Sequence, residues 1–407
     1  MNTIWDVIVV GGGPAGASAA RHAAGLGLET LVLEKVPFPR PKVCAGGVSE
    51  GARREMGLPL PRELIEREGR RLRPRWGGRH LDVTSARPFV YLVSRARFDQ
   101  YLLWAARQAG AVVRAGGDGG EAGDAGETGE AGRVTSLAVE PGRVIVVTPG
   151  RRFAARVVIG ADGVRSRVAR TFRRELGRRE TGLCLAADVP ASPEQRRPIV
   201  EDGIEIRYGI PPRGYGWVFP KDGHVSVGVG AARYGFNRPG SELVRHLNGS
   251  SLPSPDGVAG GWNLAMLQDR LRAHLVPFGG IRRPVANGRV FLAGDAAGFA
   301  DPFTGEGIRW ACLSGRLAAE AAARGLKTGR LSRETEGYAE ACRALIDRDL
   351  AWARWLTRLF ARWPEAASSL FFRHPELFEG LLDVLRGELT YRRLVLSLPA
   401  RLLAAGR

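Results

Sequence analysis

Apolar and small residues at the start of the chain follow the order of a strand, a turn, a helix and a second strand. Residues 6–10 contain three valines and an isoleucine, which favours a buried β-strand. Alanine-rich sequence continues at helical spacing to Leu28, and residues 30–33 form a second apolar run that ends in Glu34. The pattern predicts a βαβ unit.

Further apolar runs extend this prediction along the first half of the chain. Ser49 is expected to cap a helix, because its hydroxyl can accept a hydrogen bond from the first helical turn. Residues 60–90 are rich in Arg and Pro and predict irregular structure. Strands are predicted over residues 90–93, 111–114, 134–139 and 144–147, and an amphipathic helix from Ser94 to Ala109.

Between residues 180 and 280 the pattern changes to short strands separated by Gly and Pro. Residues 225–229 alternate as a half-buried antiparallel strand should. The same alternation places Tyr215, Trp217 and Phe219 on one face of a strand, where they form an aromatic wall. Such a wall is found both in protein cores and in ligand pockets.

From Leu331 onward the pattern is helical. Within residues 350–360, an apolar face carries two tryptophans, Trp352 and Trp355, while Arg354 and Arg358 lie elsewhere on the helix. A helix of this kind either packs on other parts of the protein or lies in a membrane interface. Peripheral membrane contact is therefore one expectation.

Composition and charge limit the classes of function. A chain of 407 residues is long enough for two or three domains. The net charge of +18 would suit nucleic acid or an anionic membrane, but the basic residues are mostly arginines dispersed along the chain. No nucleic-acid-binding motif accompanies them, so we expect no nucleic acid partner.

The four cysteines stand far apart, without the C-x-x-C spacing of a zinc or iron–sulfur site, so we expect reduced thiols and no metal. The first strand begins directly after the first few residues, and no apolar stretch is long enough to span a bilayer. We expect a cytoplasmic protein, associated with the inner face of the membrane if its C-terminal helices contact lipid.

The turn after the first strand has the G-x-G-x-x-G spacing of a dinucleotide-binding motif. Gly11 permits the tight turn, Gly13 has no Cβ to obstruct a pyrophosphate, and Gly16 lets helix and strand pack closely. The helix N-terminus offers free N–H groups to an anion. Glu34 stands at the distance along the chain where an acid would bind ribose hydroxyls.

Three spaced motifs give a resemblance to a known fold family. The first glycine motif, the turn over residues 160–163 and the pair Gly294 and Asp295 are similar to those of FAD-dependent oxidoreductases of the para-hydroxybenzoate hydroxylase fold. In that family Arg95 matches an arginine of an R-x-x-F-D pattern near the pyrophosphate. The resemblance implies FAD bound by Gly11, Gly13, Pro14, Ala15, Gly16, Glu34, Lys35, Cys44, Ala45, Gly46, Arg95, Asp162, Asp295, Gly305, Gly307 and Ile308.

Two further stretches resemble the geranylgeranyl reductase family. Residues 42–47 look like its cysteine loop, and residues 215–221 look like its Y-x-W-x-F-P signature. The resemblance implies catalytic roles for Cys44, Tyr215 and Trp217. It also implies a prenyl-binding surface formed by Tyr215, Trp217, Phe219, Pro220 and Lys221.

The resemblance implies an α/β fold class: a Rossmann-type FAD-binding domain, an antiparallel-sheet substrate domain and a C-terminal helical segment. The FAD-binding domain is expected over residues 1–75, 91–175 and 283–330. Within it, residues 116–132 contain almost only Gly, Ala, Glu, Asp and Thr, which predicts a disordered insertion. The substrate domain is expected over residues 76–90 and 176–282, and the helical region over residues 331–407.

The implied reaction is saturation of C=C bonds in a prenyl chain of a lipid, quinone, chlorophyll precursor or prenyl diphosphate. The alternatives are a monooxygenase or halogenase of the same fold and a flavoprotein electron carrier that docks on a membrane. The sequence has no second dinucleotide motif, so NADPH and ferredoxin both remain open as electron donors.

Overall fold

The computed structural model describes residues 4–116, 132–196 and 203–405. Apart from its two end residues, the insertion predicted over residues 116–132 therefore lies outside the described residues.

In chain order, the described strands are β1 (Ile4–Val10), β2 (Thr30–Glu34), β3 (Gly47–Ser49), β4 (Ile65–Gly69), β5 (Arg71–Trp76), β6 (Arg79–His80), β7 (Val83–Thr84), β8 (Val90–Val93), β9 (Val112–Ala115), β10 (Ser136–Glu140), β11 (Arg143–Thr148), β12 (Arg151–Gly160), β13 (Thr181–Pro190), β14 (Gly203–Tyr208), β15 (Gly214–Pro220), β16 (His224–Ala232), β17 (Arg272–Pro277), β18 (Ala286–Asn287) and β19 (Val290–Leu292). The described helices are α1 (Pro14–Gly25), α2 (Glu50–Met56), α3 (Arg95–Gln108), α4 (Pro193–Arg196), α5 (Pro239–Asn248), α6 (Ile308–Thr328), α7 (Leu331–Cys342), α8 (Arg348–Arg362), α9 (Pro364–Arg373), α10 (Glu376–Arg386) and α11 (Tyr391–Ala405).

The first of two compact units comprises Met1–Lys42, Arg95–Leu176 and Pro277–Ala351. Its sheet has the strand order β10-β11-β12-β1-β2-β9, and β19 also pairs with β12. Strand β1 lies between β2 and β12 and is parallel to both. Because it is central, its residues Val7, Ile8, Val9 and Val10 are buried on both faces of the sheet, as the continuous run in the sequence predicts.

The second compact unit comprises Val43–Ser94, Gly177–Val276 and Trp352–Arg407. Its main sheet has the order β17-β13-β16-β15-β14-β5-β6, with β7 paired to β5. Strand β16 pairs with β13 and β15, and β15 pairs with β14, all in antiparallel orientation. Strand β5 pairs with β14 in parallel orientation. Strands β3, β8 and β4 form a separate antiparallel sheet.

One side of the β15 strand faces a hydrophobic core. Val218 packs there with Val227 of β16 and with Leu243 and Leu247 of α5, and all four side chains are completely buried. Since neighbours in a strand point to opposite faces, Tyr215 and Trp217 face the other side of the sheet. The expected alternation of this strand is therefore present.

The predicted fold class is confirmed, because a Rossmann-type unit, a mainly antiparallel sheet and C-terminal helices are all present. The helix cap at Ser49 is confirmed too, since its Oγ accepts a hydrogen bond of 2.9 Å from the N–H of Ala52. None of the described helices is long and apolar enough to cross a membrane.

The prediction of irregular structure over residues 60–90 was wrong, because β4, β5, β6 and β7 lie there. The two longer strands form through partners elsewhere in the sequence, since β4 pairs with β8 and β5 pairs with β14. The two-residue strands β6 and β7 then pair with β5. Their pairing also places residues 43–75 in the second unit and not in the first, where they were expected. The C-terminal helices are divided between the units after Ala351.

Candidate functional site

The glycine loop before α1 leaves room for a ligand at one position only. Gly11 has φ +102°, and a Cβ there would lie 2.4 Å from the carbonyl oxygen of Ala161. A Cβ on Gly16 would lie 1.8 Å from the carbonyl oxygen of Gly11. At Gly13 the nearest atom is Nη2 of Arg40, 3.6 Å away. Gly11 and Gly16 are thus required by the fold, whereas Gly13 opens a cradle beside the first turn of α1 that fits a pyrophosphate.

The carboxylate of Glu34 is buried against this loop. Its Oε2 accepts a hydrogen bond of 2.7 Å from the N–H of Gly12, and its Oε1 accepts one of 3.2 Å from the N–H of Val36. Each oxygen keeps a further lone pair that a ribose hydroxyl could use. The neighbouring side chain of Lys35 is exposed.

Arg40 is a functional candidate that the sequence reasoning missed. Its Nη2 lies 3.8 Å from Oε2 of Glu34 and 3.9 Å from Oδ2 of Asp99, and its guanidinium stacks over the ring of Phe38. A mostly buried guanidinium beside Gly13 suits an anionic ligand. Arg40 lies in a proline-rich loop, so no periodic pattern in the sequence marks it.

Arg95 is the first residue of α3 and forms a buried ion pair with Asp99. Its Nε and Nη2 each donate a hydrogen bond of 2.8 Å to the carboxylate of Asp99, which is completely buried. This bidentate pair fixes the guanidinium in one orientation. The spacing of the two residues, one helical turn apart, could have predicted the pair.

Asp295 lies in the turn after β19. Burial raises the pKa of its carboxyl, and the charges of Lys42 and Arg95 oppose that rise. A Cβ on Gly307 would lie 3.7 Å from Oδ1 of Asp295, so the backbone at the start of α6 passes close to this carboxylate. Ile308, the first residue of α6, is buried beside that turn. The Asp295 carboxylate and the N-terminus of α6 therefore lie together.

The loop before α6 is shaped by Asp301, which the sequence reasoning also missed. Its buried Oδ1 accepts hydrogen bonds of 2.7 Å and 3.1 Å from the N–H groups of Phe303 and Thr304. Gly305 completes the turn with φ +76°. These contacts fix the backbone leading to Gly307.

Asp162 contacts the backbone of its own loop. Its Oδ2 accepts hydrogen bonds of 2.7 Å from the N–H of Arg167 and 3.3 Å from that of Val168. Burial raises the pKa of this carboxyl, and the hydrogen bonds oppose the rise. A cofactor contact of Asp162 stays a prediction.

The cysteine loop lies in the second unit. Cys44 and Ala45 are half-buried, and the N–H of Gly46 lies 3.4 Å from the Sγ of Cys44. Gly46 has φ +75°, and its carbonyl oxygen accepts a hydrogen bond of 2.9 Å from the N–H of Val93. The loop is therefore fixed to the end of β8.

The aromatic wall begins on β15 and extends further than the sequence indicates. The ring centroids of Tyr215 and Trp217 are 6.3 Å apart. The Trp217 indole covers Gly228, where a Cβ would lie 2.1 Å from its ring. Tyr208 of β14 extends the wall, because its ring centroid lies 6.4 Å from that of Tyr215. Its ring centroid also lies 6.2 Å from that of Phe360 of α8. The contribution of α8 was missed, because it depends on contacts between distant parts of the chain.

The end of the signature lies next to the cysteine loop. Phe219 and Pro220 are buried, and the ring of Phe219 would lie 3.3 Å from a Cβ on Gly47. Lys221 is also buried, and its Nζ donates a hydrogen bond of 2.7 Å to the carbonyl oxygen of Val93. Within the second unit, the cysteine loop and the aromatic signature are therefore close neighbours.

The predicted site residues are divided between the two units. The glycine loop, Glu34, Lys35, Arg95, Asp162, Asp295 and residues 305–308 belong to the first unit. Cys44, Ala45, Gly46 and residues 215–221 belong to the second.

Comparison with known proteins finds an FAD-binding domain and related reductases. Residues 5–202 match the family model described as an FAD binding domain. The digeranylgeranylglycerophospholipid reductase 2 of Methanothermobacter thermautotrophicus is 33% identical over 344 residues, which cover 80% of this chain and 80% of that protein. The menaquinone reductase of Mycolicibacterium smegmatis is 32% identical over 344 residues, covering 79% of this chain and 76% of that protein.

A crystal structure of a geranylgeranyl bacteriochlorophyll reductase-like protein from Thermoplasma acidophilum is similar throughout, with a TM-score of 0.76 and 25% identity. The match covers 99% of this chain and 95% of that one. The fold and the glycine cradle define an FAD-dependent oxidoreductase. Within that class, the chain belongs to the geranylgeranyl reductase family.

Proposed function

We propose that this oxidoreductase saturates C=C bonds in a prenyl chain of the geranylgeranyl type. The observation that carries the proposal is the aromatic wall of Tyr208, Tyr215 and Trp217, which lies in the same compact unit as the cysteine loop. An unbroken aromatic surface suits an apolar, unsaturated chain. Relatives named for a phospholipid and for a quinone support this class of substrate.

The chemistry explains why such a wall is needed. When bound and reduced, FAD supplies a hydride. An isolated alkene has no carbonyl group to polarise it, so each reduced bond also takes up one proton at the other carbon, and positive charge develops on the more substituted carbon. The protein must therefore exclude water, and the faces of Tyr215 and Trp217 can tolerate the developing charge.

Cys44 is our candidate for the residue that supplies the proton or tunes the cofactor. Its sulfur lies 3.4 Å from the N–H of Gly46, and it is half-buried in the loop whose Gly46 and Gly47 adjoin Lys221 and Phe219 of the aromatic signature. A thiol held in a glycine loop can approach a flat ligand closely, because the loop has few side chains to obstruct it. A role of this kind implies that a Cys44→Ala variant keeps its FAD and loses turnover.

The competing activities are hydroxylation or halogenation by the same fold, and electron transfer at a membrane. Hydroxylation needs oxygen and gives a product that contains it, whereas reduction of a prenyl chain proceeds without oxygen.

Both NADPH and ferredoxin suit the proposal as electron donors, because it requires only two electrons for each saturated bond.

We also propose that an exposed surface at the end of α8 contacts an anionic membrane surface. This surface, the outer face of α8, consists of Trp355, Arg358, Arg362 and Trp363. Trp355 is 43% exposed and Trp363, directly after the helix, is 54% exposed. The guanidinium of Arg362 lies 5.4 Å from the Trp363 ring, and Arg358 is exposed nearby along the helix. Exposed tryptophans flanked by arginines are typical of helices that lie in a lipid interface.

A binding comparison of two tryptophan variants tests the substrate surface. Trp217→Ala should keep FAD and lose affinity for geranylgeranyl diphosphate by at least about tenfold, or about 1.4 kcal/mol. Trp104→Ala, at a position 53% exposed on α3, is the matched control and should bind both ligands normally. Equal prenyl affinity in the two variants would place the substrate elsewhere.

A further inference from the structure

Lys221 closes the aromatic signature, and its ammonium group is turned into the protein. The residue is 4% exposed. Its Nζ donates a hydrogen bond of 2.7 Å to the carbonyl oxygen of Val93 and lies 3.8 Å from Oε2 of Glu66. A buried ammonium is costly unless it is paired in this way. The ammonium of Lys221 is thus paired with groups of the second unit.

The ammonium also occupies the space beside Gly46. A Cβ on Gly46 would lie 2.5 Å from Nζ of Lys221 and 2.3 Å from the carbonyl oxygen of Val93. Any other residue at position 46 would therefore displace the lysine or the strand. Glycine at position 46 therefore leaves the space that the buried ammonium of Lys221 occupies.

A continuous series of contacts joins Lys221 to the sulfur of Cys44. Lys221 binds the carbonyl oxygen of Val93, and the N–H of Val93 binds the carbonyl oxygen of Gly46 at 2.9 Å. The N–H of Gly46 then lies 3.4 Å from Sγ of Cys44. A loop without large side chains has little packing of its own, so these contacts determine where the sulfur lies.

We propose that Lys221 is a positioning residue that fixes the Cys44 loop, and that it does not bind the prenyl substrate. This inference deepens the proposed function, since it rests on a role for Cys44 in the reaction. It differs from the role that the family resemblance implies for Lys221, which is contact with substrate. The two roles predict different kinetic effects.

The test replaces the ammonium by a methyl thioether of similar length in Lys221→Met. Without the anchor, the loop should loosen, and iodoacetamide should alkylate Cys44 at least about fivefold faster at fixed pH, as followed by peptide mass spectrometry. With geranylgeranyl diphosphate as substrate, kcat should fall at least about tenfold while KM changes less than about twofold. Lys327→Met, at an exposed lysine near the end of α6, is the control and should alter neither quantity.

A second variant keeps the test open if Lys221→Met does not fold. Gly46→Ala keeps Lys221 in the sequence, but its Cβ would lie 2.5 Å from the ammonium and 2.3 Å from the carbonyl oxygen of Val93, so the anchor should be displaced and alkylation of Cys44 should also accelerate. A higher KM with unchanged kcat and unchanged alkylation in Lys221→Met would overturn the proposal in favour of substrate binding. Unchanged alkylation in both variants would also overturn it. Alkylation requires no prenyl substrate, so this result is independent of whether the proposed reaction occurs.

Discussion

The imidazole of His246 is bonded to the backbone of Trp217 from the side of the sheet opposite the aromatic wall. Its Nε2 lies 3.1 Å from the carbonyl oxygen of Trp217, which requires the proton of the neutral ring to be on Nε2. Its Nδ1 lies 2.4 Å from the position that a Cβ on Gly216 would take. The histidine therefore supports the strand on which the wall is built, and Gly216 leaves the space it needs.

This arrangement predicts a loss of stability in acid. Burial lowers the pKa of His246 to about 4, from an ordinary value of 6.5. Because the folded protein holds the neutral ring, its stabilising effect is complete above pH 6.5 and is lost as the pH falls toward 4. At about 1.4 kcal/mol for each pH unit between the two values, the loss is about 3 kcal/mol.

Urea titrations of the wild type and of His246→Gln at pH 7 and pH 4 measure this effect. Glutamine can still donate to the carbonyl oxygen of Trp217 but does not titrate. The wild type should therefore lose about 3 kcal/mol more of its free energy of unfolding than the variant does. Parallel pH dependence in the two proteins would show that His246 does not carry the effect.

The glycine loop predicts opposite outcomes for two neighbouring substitutions. Gly13 has φ −72°, and a Cβ there would make an ordinary van der Waals contact of 3.6 Å with Nη2 of Arg40, so Gly13→Val should fold normally but fill the cradle. Its affinity for FAD should fall at least about tenfold, as measured by quenching of flavin fluorescence.

Gly16→Val is the comparison for that substitution. A Cβ at Gly16 would lie 1.8 Å from the carbonyl oxygen of Gly11, so this variant should lose thermal stability even without FAD. The assignment of the cradle fails if Gly13→Val binds FAD normally, or if both variants unfold at the same temperature.

The outer face of α8 predicts binding to anionic vesicles. Vesicles rich in phosphatidylglycerol should sediment the protein, and neutral phosphatidylcholine vesicles should not, because arginines and tryptophans act together at an anionic interface. A double variant, Trp355→Ser with Trp363→Ser, should weaken binding at least about tenfold, and Trp104→Ser should not. Binding that is unchanged in the double variant would exclude this face.

Local patterns predicted those parts of the fold that depend on neighbours in sequence. The β1–α1 turn could be predicted because strand, glycines and helix follow one another directly, and the pairing of Tyr215 with Trp217 follows from strand alternation. Strands β4 and β5 could not be predicted, because they pair with β8 and β14, and the short strands β6 and β7 form only against β5.

The same limit applies to the site. Tyr208 and Phe360 meet across more than a hundred residues of sequence, and His246 reaches Trp217 from another element. No local pattern contains such contacts. Arg40 and Lys221 acquire their roles in a similar way, through a glycine that leaves space for a charged side chain.

Saturation of a prenyl chain by the reduced protein can be measured directly. The direct measurement incubates the dithionite-reduced FAD protein without oxygen with geranylgeranyl diphosphate and with a prenylated quinone, and follows the products by mass spectrometry. Dithionite replaces the natural electron donor, so its identity does not affect the outcome.

If the protein reduces prenyl chains, the products should gain about two mass units for each reduced bond, the addition of one hydride and one proton, and Cys44→Ala should lose these gains despite bound FAD. Prenyl reduction is excluded if the wild-type protein leaves both compounds unchanged without oxygen but converts either to an oxygen-containing or halogenated product in its presence.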